Sequence, residues 1–273
     1  MPGSESDAPA YREAKLAERL MAAGCTVIDE GDLGIPSYLP HHTVPPMRNW
    51  PGPRIVWDLL ADRIQPWLHE PGHLPLLIGC DCSVVAGTLQ AIRQSSNDVH
   101  VLYIDGDFDD AAPDSRTCQS AAAMAVWLIT HQSPFWSGPA LEPSQVTVFG
   151  WSKPSQCSGP GVNSISLAEA GRVGAAEAAQ KALAAIPASS NILVHLDIDV
   201  MADNEFPAAY FPHGEGFTMG QMSEVLRVVL NDHRIRIIEI SGYSVLRDLS
   251  HKWIGKLTEM LAAAAQNSAG LGK

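Results

Sequence analysis

VHVLYIDGDFDD, residues 99–110, decides the fold, together with ILVHLDIDV at residues 192–200. Each is an apolar run closed by acids two positions apart. A strand exposed on one face alternates apolar and polar residues, whereas one covered on both faces is apolar throughout. Val99–Ile104 and 192–196 are of the second kind, and so are 74–78, Val146–Phe149 and 235–240. Between them lie stretches with helical spacing, at 84–95, 117–132, 168–186, 219–231 and 247–265. Buried strands alternating with helices predict a mainly parallel sheet with helices on both faces, an α/β fold of three layers.

Outward from this centre the signals weaken. Residues 9–23 read as a helix closed by Gly24, followed by a short strand at 25–29, and a further helix is expected over 55–69. The Pro-, Gly- and His-rich segment 34–53 reads as a surface excursion. No repeat or linker divides the chain, so one domain spanning residues 1–273 is expected.

Composition narrows the function. A net charge of -12 argues against nucleic acid or an anionic membrane as partner and suits cations or a cationic substrate. There is no apolar signal core near the N-terminus and no run long enough to span a membrane. Five cysteines (Cys25, Cys80, Cys82, Cys118 and Cys157) read as reduced thiols, so the cytoplasm is the expected location.

In open parallel sheets ligands bind beyond the carboxyl ends of the strands. Here those ends carry GCDCS at 79–83, DGDFD at 105–109 and DID at 197–199. Alternation along an extended chain lets Asp105, Asp107 and Asp109 share one side, as can Asp197 and Asp199. One such acidic run can be explained as a helix cap. Two of them, both with i, i+2 spacing, place mutually repelling carboxylates together, which a cation relieves. Oxygen donors favour Mg²⁺, Mn²⁺ or a similar hard ion, and five carboxylates are more than one ion needs. A pair of such ions activates water near neutral pH.

These segments resemble a known family. GCDCS is similar to the GGDHS motif of arginases and agmatinases, IDGDFD to their DAHxD motif, and HLDIDV to their SFDVD motif. The loop with Pro207 and Gly216, IIEI at 237–240 and the N-terminal segment through GDL at 31–33 follow the same order. The resemblance implies a dinuclear manganese centre with two Mn²⁺ ions per chain and a small-molecule guanidine substrate. It places Cys82 and Asp109 on the first ion and Asp107 and Asp199 on the second, with Asp105 and Asp197 bridging. Glu239 takes the position that pairs with the guanidinium.

The departures are informative. Cys82 and Asp107 stand where the family carries histidines, and a thiol must lose its proton to ligate. The family's proton-shuttling histidine aligns with Ala122. His195, on the strand face of Asp197, is a candidate substitute or a group supporting the ligands. The positions that read the amino-acid end of the substrate, Ala111, Cys118, Ser120 and 152–158, are only partly polar. The family's first strand and its trimer-supporting C-terminal tail have no counterpart, which suggests a monomer. An N-hydroxyguanidine has a more electrophilic carbon than guanidine and needs less acid assistance. The cysteine ligand and missing histidine resemble the hydroxyarginine-cleaving members of the family, and that resemblance implies Nω-hydroxy-L-arginine, cleaved to hydroxyurea and L-ornithine, as the substrate. An unmodified guanidine, or a metal-free binding role, remains the alternative.

Seven tryptophans, among them Trp50, Trp57, Trp67, Trp136 and Trp151, fit core or interface positions better than a pocket wall. His41 and His42, adjacent in a Pro-rich loop, read as solvated. GPGVNS at 159–164 lacks a P-loop lysine and indicates no nucleotide site.

Overall fold

The structure, a computed structural model, describes residues 7–70, 72–79, 81–136, 138–153 and 161–266. In chain order the strands are β1 (His41–Val44), β2 (Met47–Pro51), β3 (Leu76–Ile78), β4 (Val99–Ile104), β5 (Val146–Phe149), β6 (Asn163–Ile165), β7 (Asn191–Asp197) and β8 (Ile235–Ser241). The helices are α1 (Asp7–Glu13), α2 (Leu16–Ala22), α3 (Gly52–Ile64), α4 (Val84–Ser95), α5 (Ala125–Thr130), α6 (Leu167–Val173), α7 (Ala175–Ala185), α8 (Met219–Val229) and α9 (Lys252–Ala265). Strands β3 to β8 form one sheet in the order β3-β8-β7-β4-β5-β6, and every pairing in it is parallel.

Alternation along the strands feeds two cores. Leu102, Ile104, Val194, Leu196 and Ile240 face α7, α8 and α9, whereas Val101, Tyr103, Leu193 and Ile237 face α3, α4 and α5. This is the expected α/β/α arrangement, and it fixes which strand residues share a side. Ile104 pairs with Leu196, so Asp105 follows beside Asp197; His195 pairs with Glu239, and Asp197 with Ser241. By the same period of two, Tyr103, Asp105, His195, Asp197, Glu239 and Ser241 all project towards the α4 side.

Several sequence expectations are corrected. The helix predicted over 9–23 is broken, because Lys15 adopts φ 59° and Arg19 Nε takes the Ala14 carbonyl at 3.0 Å. Residues 25–29 form no strand and run as irregular chain. The helix expected from 117 is delayed to a 3-10 turn at Ala122–Met124, since Gln119 bridges to Met47 beside the hairpin β1–β2. The long helix at 168–186 splits at Gly174, whose φ of 98° a helix cannot continue. The last helix starts at Lys252, where the Asp248 carboxylate accepts from the Trp253 and Ile254 amides at 2.9 and 2.8 Å. The hairpin β1–β2 lies inside what the sequence suggests is an excursion, and β6 was not foreseen. No helix among the described residues is long and apolar enough to cross a membrane.

Candidate metal centre

Each acidic strand end closes on itself in the same way. Asp81 Oδ1 accepts from the Ser83 amide at 2.9 Å, Asp105 Oδ1 from the Asp107 amide at 2.6 Å, and Asp197 Oδ1 from the Asp199 amide at 2.8 Å. These i to i+2 bonds are Asx turns, which D-x-D and D-x-S spacing encodes locally. Asp199 Oδ1 accepts in turn from the Gly106 amide at 3.1 Å, tying the two acidic turns together. The consequence is directional. Asp105, Asp197 and Asp199 are each held by Oδ1, which leaves Oδ2 to face the space between the strand ends.

Cys82 enters that space from the turn before α4. Its Sγ donates to Asp197 Oδ2 at 2.8 Å and lies 3.8 Å from Asp105 Oδ2 and 3.6 Å from Ser241 Oγ. Asp109 is reached through a strained backbone, φ 48°, and its Oδ2 accepts from Tyr103 Oη at 2.7 Å. Asp105, Asp197 and Asp199 form one set of mutually close donors, Cys82, Asp105 and His195 a second, and Asp107, Asp199 and His213 a third. Five of the six expected ligands, all but Asp109, thus fall into these sets. Asp109 stands beside them, close enough to act electrostatically on Asp105 and Cys82.

The electrostatics are those of a place prepared for positive charge. Burial first, then the charges of Asp197, Asp109, Asp105 and Asp199, pushes the Cys82 thiol well above its ordinary range. Burial and neighbouring carboxylates likewise raise Asp105 and Asp109 well above the usual value and Asp197 to about 7. Buried acids that repel one another cost stability unless a cation sits among them. A donor set rich in carboxylate with one thiol and nearby imidazoles suits divalent ions of the Mn²⁺ type. The residues therefore fit bound divalent metal.

Glu239 and His195 lie behind this space, both 0% exposed. His195 Nδ1 and Glu239 Oε1 are 2.6 Å apart, Thr88 Oγ1 donates to Glu239 Oε2 at 2.6 Å, and the His195 ring stacks on Tyr103 at 4.3 Å. His195 Nε2 lies 3.3 Å from Ser241 Oγ, on the side of Cys82. Glu239 is thus enclosed and already carries a partner on each oxygen. In this geometry it sets the ring of His195; it does not stand open to a guanidinium.

Two residues were not foreseen at this centre, although Lys153 belongs to the segment 152–158 expected to read the substrate's amino-acid end. Lys153 Nζ pairs with Asp107 at 2.6 Å, and His213 Nε2 stands 3.2 Å from Asp199 Oδ2 and 3.5 Å from Asp107 Oδ2. Contact with Asp199 outweighs burial and holds the His213 pKa above its ordinary value. The available signal was a histidine between Pro212 and Gly214, on the loop that returns from the DID turn. Ala122 offers no titratable group, and Ser120 Oγ accepts from the Ala123 amide at 3.2 Å. Trp57 is core, donating to Ser83 Oγ at 3.2 Å, and His42 is exposed. Cys80, Cys157, the His41 side chain and residues 154–160, which fall within the predicted substrate-reading segment and the GPGVNS loop, lie outside the described residues.

The model of the Arginase family matches residues 1–270. The chain belongs to the arginase family. As a member it is a hydrolase of guanidino compounds, an amidinohydrolase. Solved structures repeat the fold. The arginase of Bacillus subtilis superposes with a TM-score of 0.79 at 21% identity, covering 97% of this chain and 91% of its own. The Bacillus caldovelox arginase gives 0.80 at 20%, with 97% and 91% covered. The proclavaminate amidino hydrolase of Streptomyces clavuligerus gives 0.61 at 18%, with 78% and 71% covered. A comparison with curated protein sequences found no match.

Proposed function

We propose that this arginase-family chain is a dinuclear-manganese amidinohydrolase that cleaves Nω-hydroxy-L-arginine to hydroxyurea and L-ornithine. In this it resembles the hydroxyarginine amidinohydrolase of D-cycloserine biosynthesis. The observation that carries the reading is Cys82, whose Sγ lies 2.8 Å from Asp197 Oδ2 inside the carboxylate cluster. A thiol there, with alanine at position 122, makes a centre able to activate water but short of the acid that an unmodified guanidine requires.

When bound, the ion pair would supply a Lewis acid and lower the pKa of water towards neutrality. Cys82 and Asp109 would hold the first ion, Asp107 and Asp199 the second, and Asp105 and Asp197 both. The chain's own residues do the positioning. The Asx turns at Asp105 and Asp197 and the Gly106 amide on Asp199 fix Oδ1 of these three carboxylates, so Oδ2 arrives already oriented. Glu239 fixes the His195 ring and turns its Nε2 towards Cys82. His195 is then placed to hold a proton at Nε2 near the reacting end. Attack is eased, because hydroxylation of the guanidine makes its carbon more electrophilic.

The test is a hydroxyurea and ornithine assay on the purified chain with added Mn²⁺, run beside L-arginine and agmatine. Hydroxyarginine should be turned over with the highest kcat/KM. Faster turnover of arginine or agmatine would overturn the substrate assignment while leaving the family reaction standing.

A further inference from the structure

Position 107 carries an aspartate where the family carries an imidazole for the second ion, yet an imidazole is still present in that half of the centre. It comes from a different part of the chain. The loop after β7 folds back on the DID turn through parallel bridges, Met201 with Phe217 and Ala202 with His213. The Asp203 amide donates to the His213 carbonyl at 2.8 Å, and the Phe217 amide to the Val200 carbonyl at 2.9 Å. These bonds fix the His213 backbone against the segment that follows Asp199, so its ring is delivered by ladder geometry.

The ring is then enclosed. The His213 side chain is 10% exposed, and its Nε2 is shielded from solvent with no hydrogen-bond partner. A buried imidazole nitrogen that makes no hydrogen bond is costly, and this one lies 3.2 Å from Asp199 Oδ2 and 3.5 Å from Asp107 Oδ2 without the alignment of a hydrogen bond. Ligand atoms of Asp107, Asp199 and His213 lie within 4.8 Å of one another, the spread expected of groups around a single ion. Room for the ring depends on a neighbour. A Cβ at Gly106 would sit 2.5 Å from His213 Cδ2 and 2.8 Å from the Asp199 carbonyl oxygen, so the glycine keeps the imidazole against the turn.

Charge favours the same assignment. Replacing imidazole by carboxylate at 107 adds a negative charge, which Lys153 Nζ meets at 2.6 Å, and removes the nitrogen donor from that half-site. A neutral nitrogen from elsewhere restores a borderline donor without adding charge. We propose that His213 is the nitrogen ligand of the second ion, relocated from the turn after β4 to the loop after β7. This rests on the metal-dependent reading above.

The experiment uses the full chain, wild type, His213→Ala, His213→Gln and the double variant His213→Ala with Asp107→His. Mn²⁺ per chain is measured after gel filtration, affinity by titration calorimetry, and nitrogen ligation by the ¹⁴N couplings of the Mn²⁺ electron-spin-echo signal. Melting of each metal-free variant near the wild-type temperature shows that folding is retained. Wild type should bind two ions. His213→Ala and His213→Gln should keep one, lose at least about tenfold in affinity for the other, and lose a ¹⁴N coupling. Any coupling from His195 persists in every variant, so the difference reports on His213. The double variant should regain the second ion. Unchanged affinity and couplings in His213→Ala would overturn the assignment, as would failure of the double variant to recover the ion. Absence of Mn²⁺ binding in wild type would instead sink the metal reading itself, and this proposal with it.

Discussion

The two ends of the sheet treat charge in opposite ways. At the amino end Arg234, Asp232 and Asp98 are all answered. Arg234 makes a bidentate pair with Asp232, closest at 2.6 Å, and donates to the carbonyls of Leu183, Ile186 and Pro187. Asp98 accepts from Ser189 and Ser190 at 2.7 and 2.6 Å. Hydrogen bonds from those serines hold Asp98 below the usual carboxylate range, and the Arg234 bonds hold Asp232 below it against its burial. At the carboxyl end Asp105, Asp109 and Asp197 are raised instead, by burial and by one another. The first end is finished without help from outside. The second is left incomplete in favour of function, at a cost in stability.

If this contrast is sound, substitutions at the two ends should cross over in their effects. The largest change is expected for Asp197→Asn: kcat/KM should fall by about 10³-fold or more, with loss of retained Mn²⁺. Melting of the metal-free variant should nevertheless be no lower than wild type, because a buried acid has been removed while its amide contact can persist. Turnover, elemental analysis and calorimetry on one preparation decide the matter. Arg234→Ala should do the reverse, costing about 2–3 kcal/mol in urea unfolding through its orphaned partners while activity per folded molecule stays within about twofold of wild type. A large loss of activity at constant fold would break the division between the ends.

The pH dependence sharpens it further. Asp197 has a folded pKa raised to about 7 from 3.8, so the metal-free chain holds a proton that the unfolded chain has released. Its contribution is present below pH 3.8 and is lost as pH rises through about 7. His100, towards the amino end of β4, is lowered from 6.5 to about 4, chiefly by burial and next by Arg234. Its contribution is present above 6.5 and is lost as pH falls through about 4. The two slopes oppose each other between, each at most about 1.4 kcal/mol per pH unit. Metal-free Asp197→Asn should therefore become more acid-sensitive than wild type in thermal melts, and His100→Gln less so. Identical pH profiles for both variants would show that neither group titrates as its surroundings require.

Legibility followed the range of the interactions. β4, β5 and α4 were readable to the residue because buried strands and an uninterrupted helical stripe are encoded locally. So was the acidic cluster, since D-x-D at a strand end is at once the Asx turn and the donor pair. What failed depended on distant partners. Lys15 breaks a helix because the Ala14 carbonyl is taken by Arg19 and lies within 3.5 Å of Thr258 Oγ1. Residues 117–121 are kept from helix by a hairpin some 70 positions earlier, through Met47 and Gln119. Glu239 carried a role drawn from resemblance, and only the register of β7 against β8 placed a histidine in front of it. His213 had no pattern of its own and becomes visible only when the loop closes on Asp199.

Gly106 has no side chain and no chemistry, yet the gap it leaves is filled by the His213 ring and the Asp199 backbone. It works as a gauge between two loops that meet only after folding. Among sequences with the same acids, the residue between the first two aspartates is therefore a better marker of a centre assembled this way than any single ligand. A chain with a side chain there could retain every donor and still hold its two loops too far apart to share them.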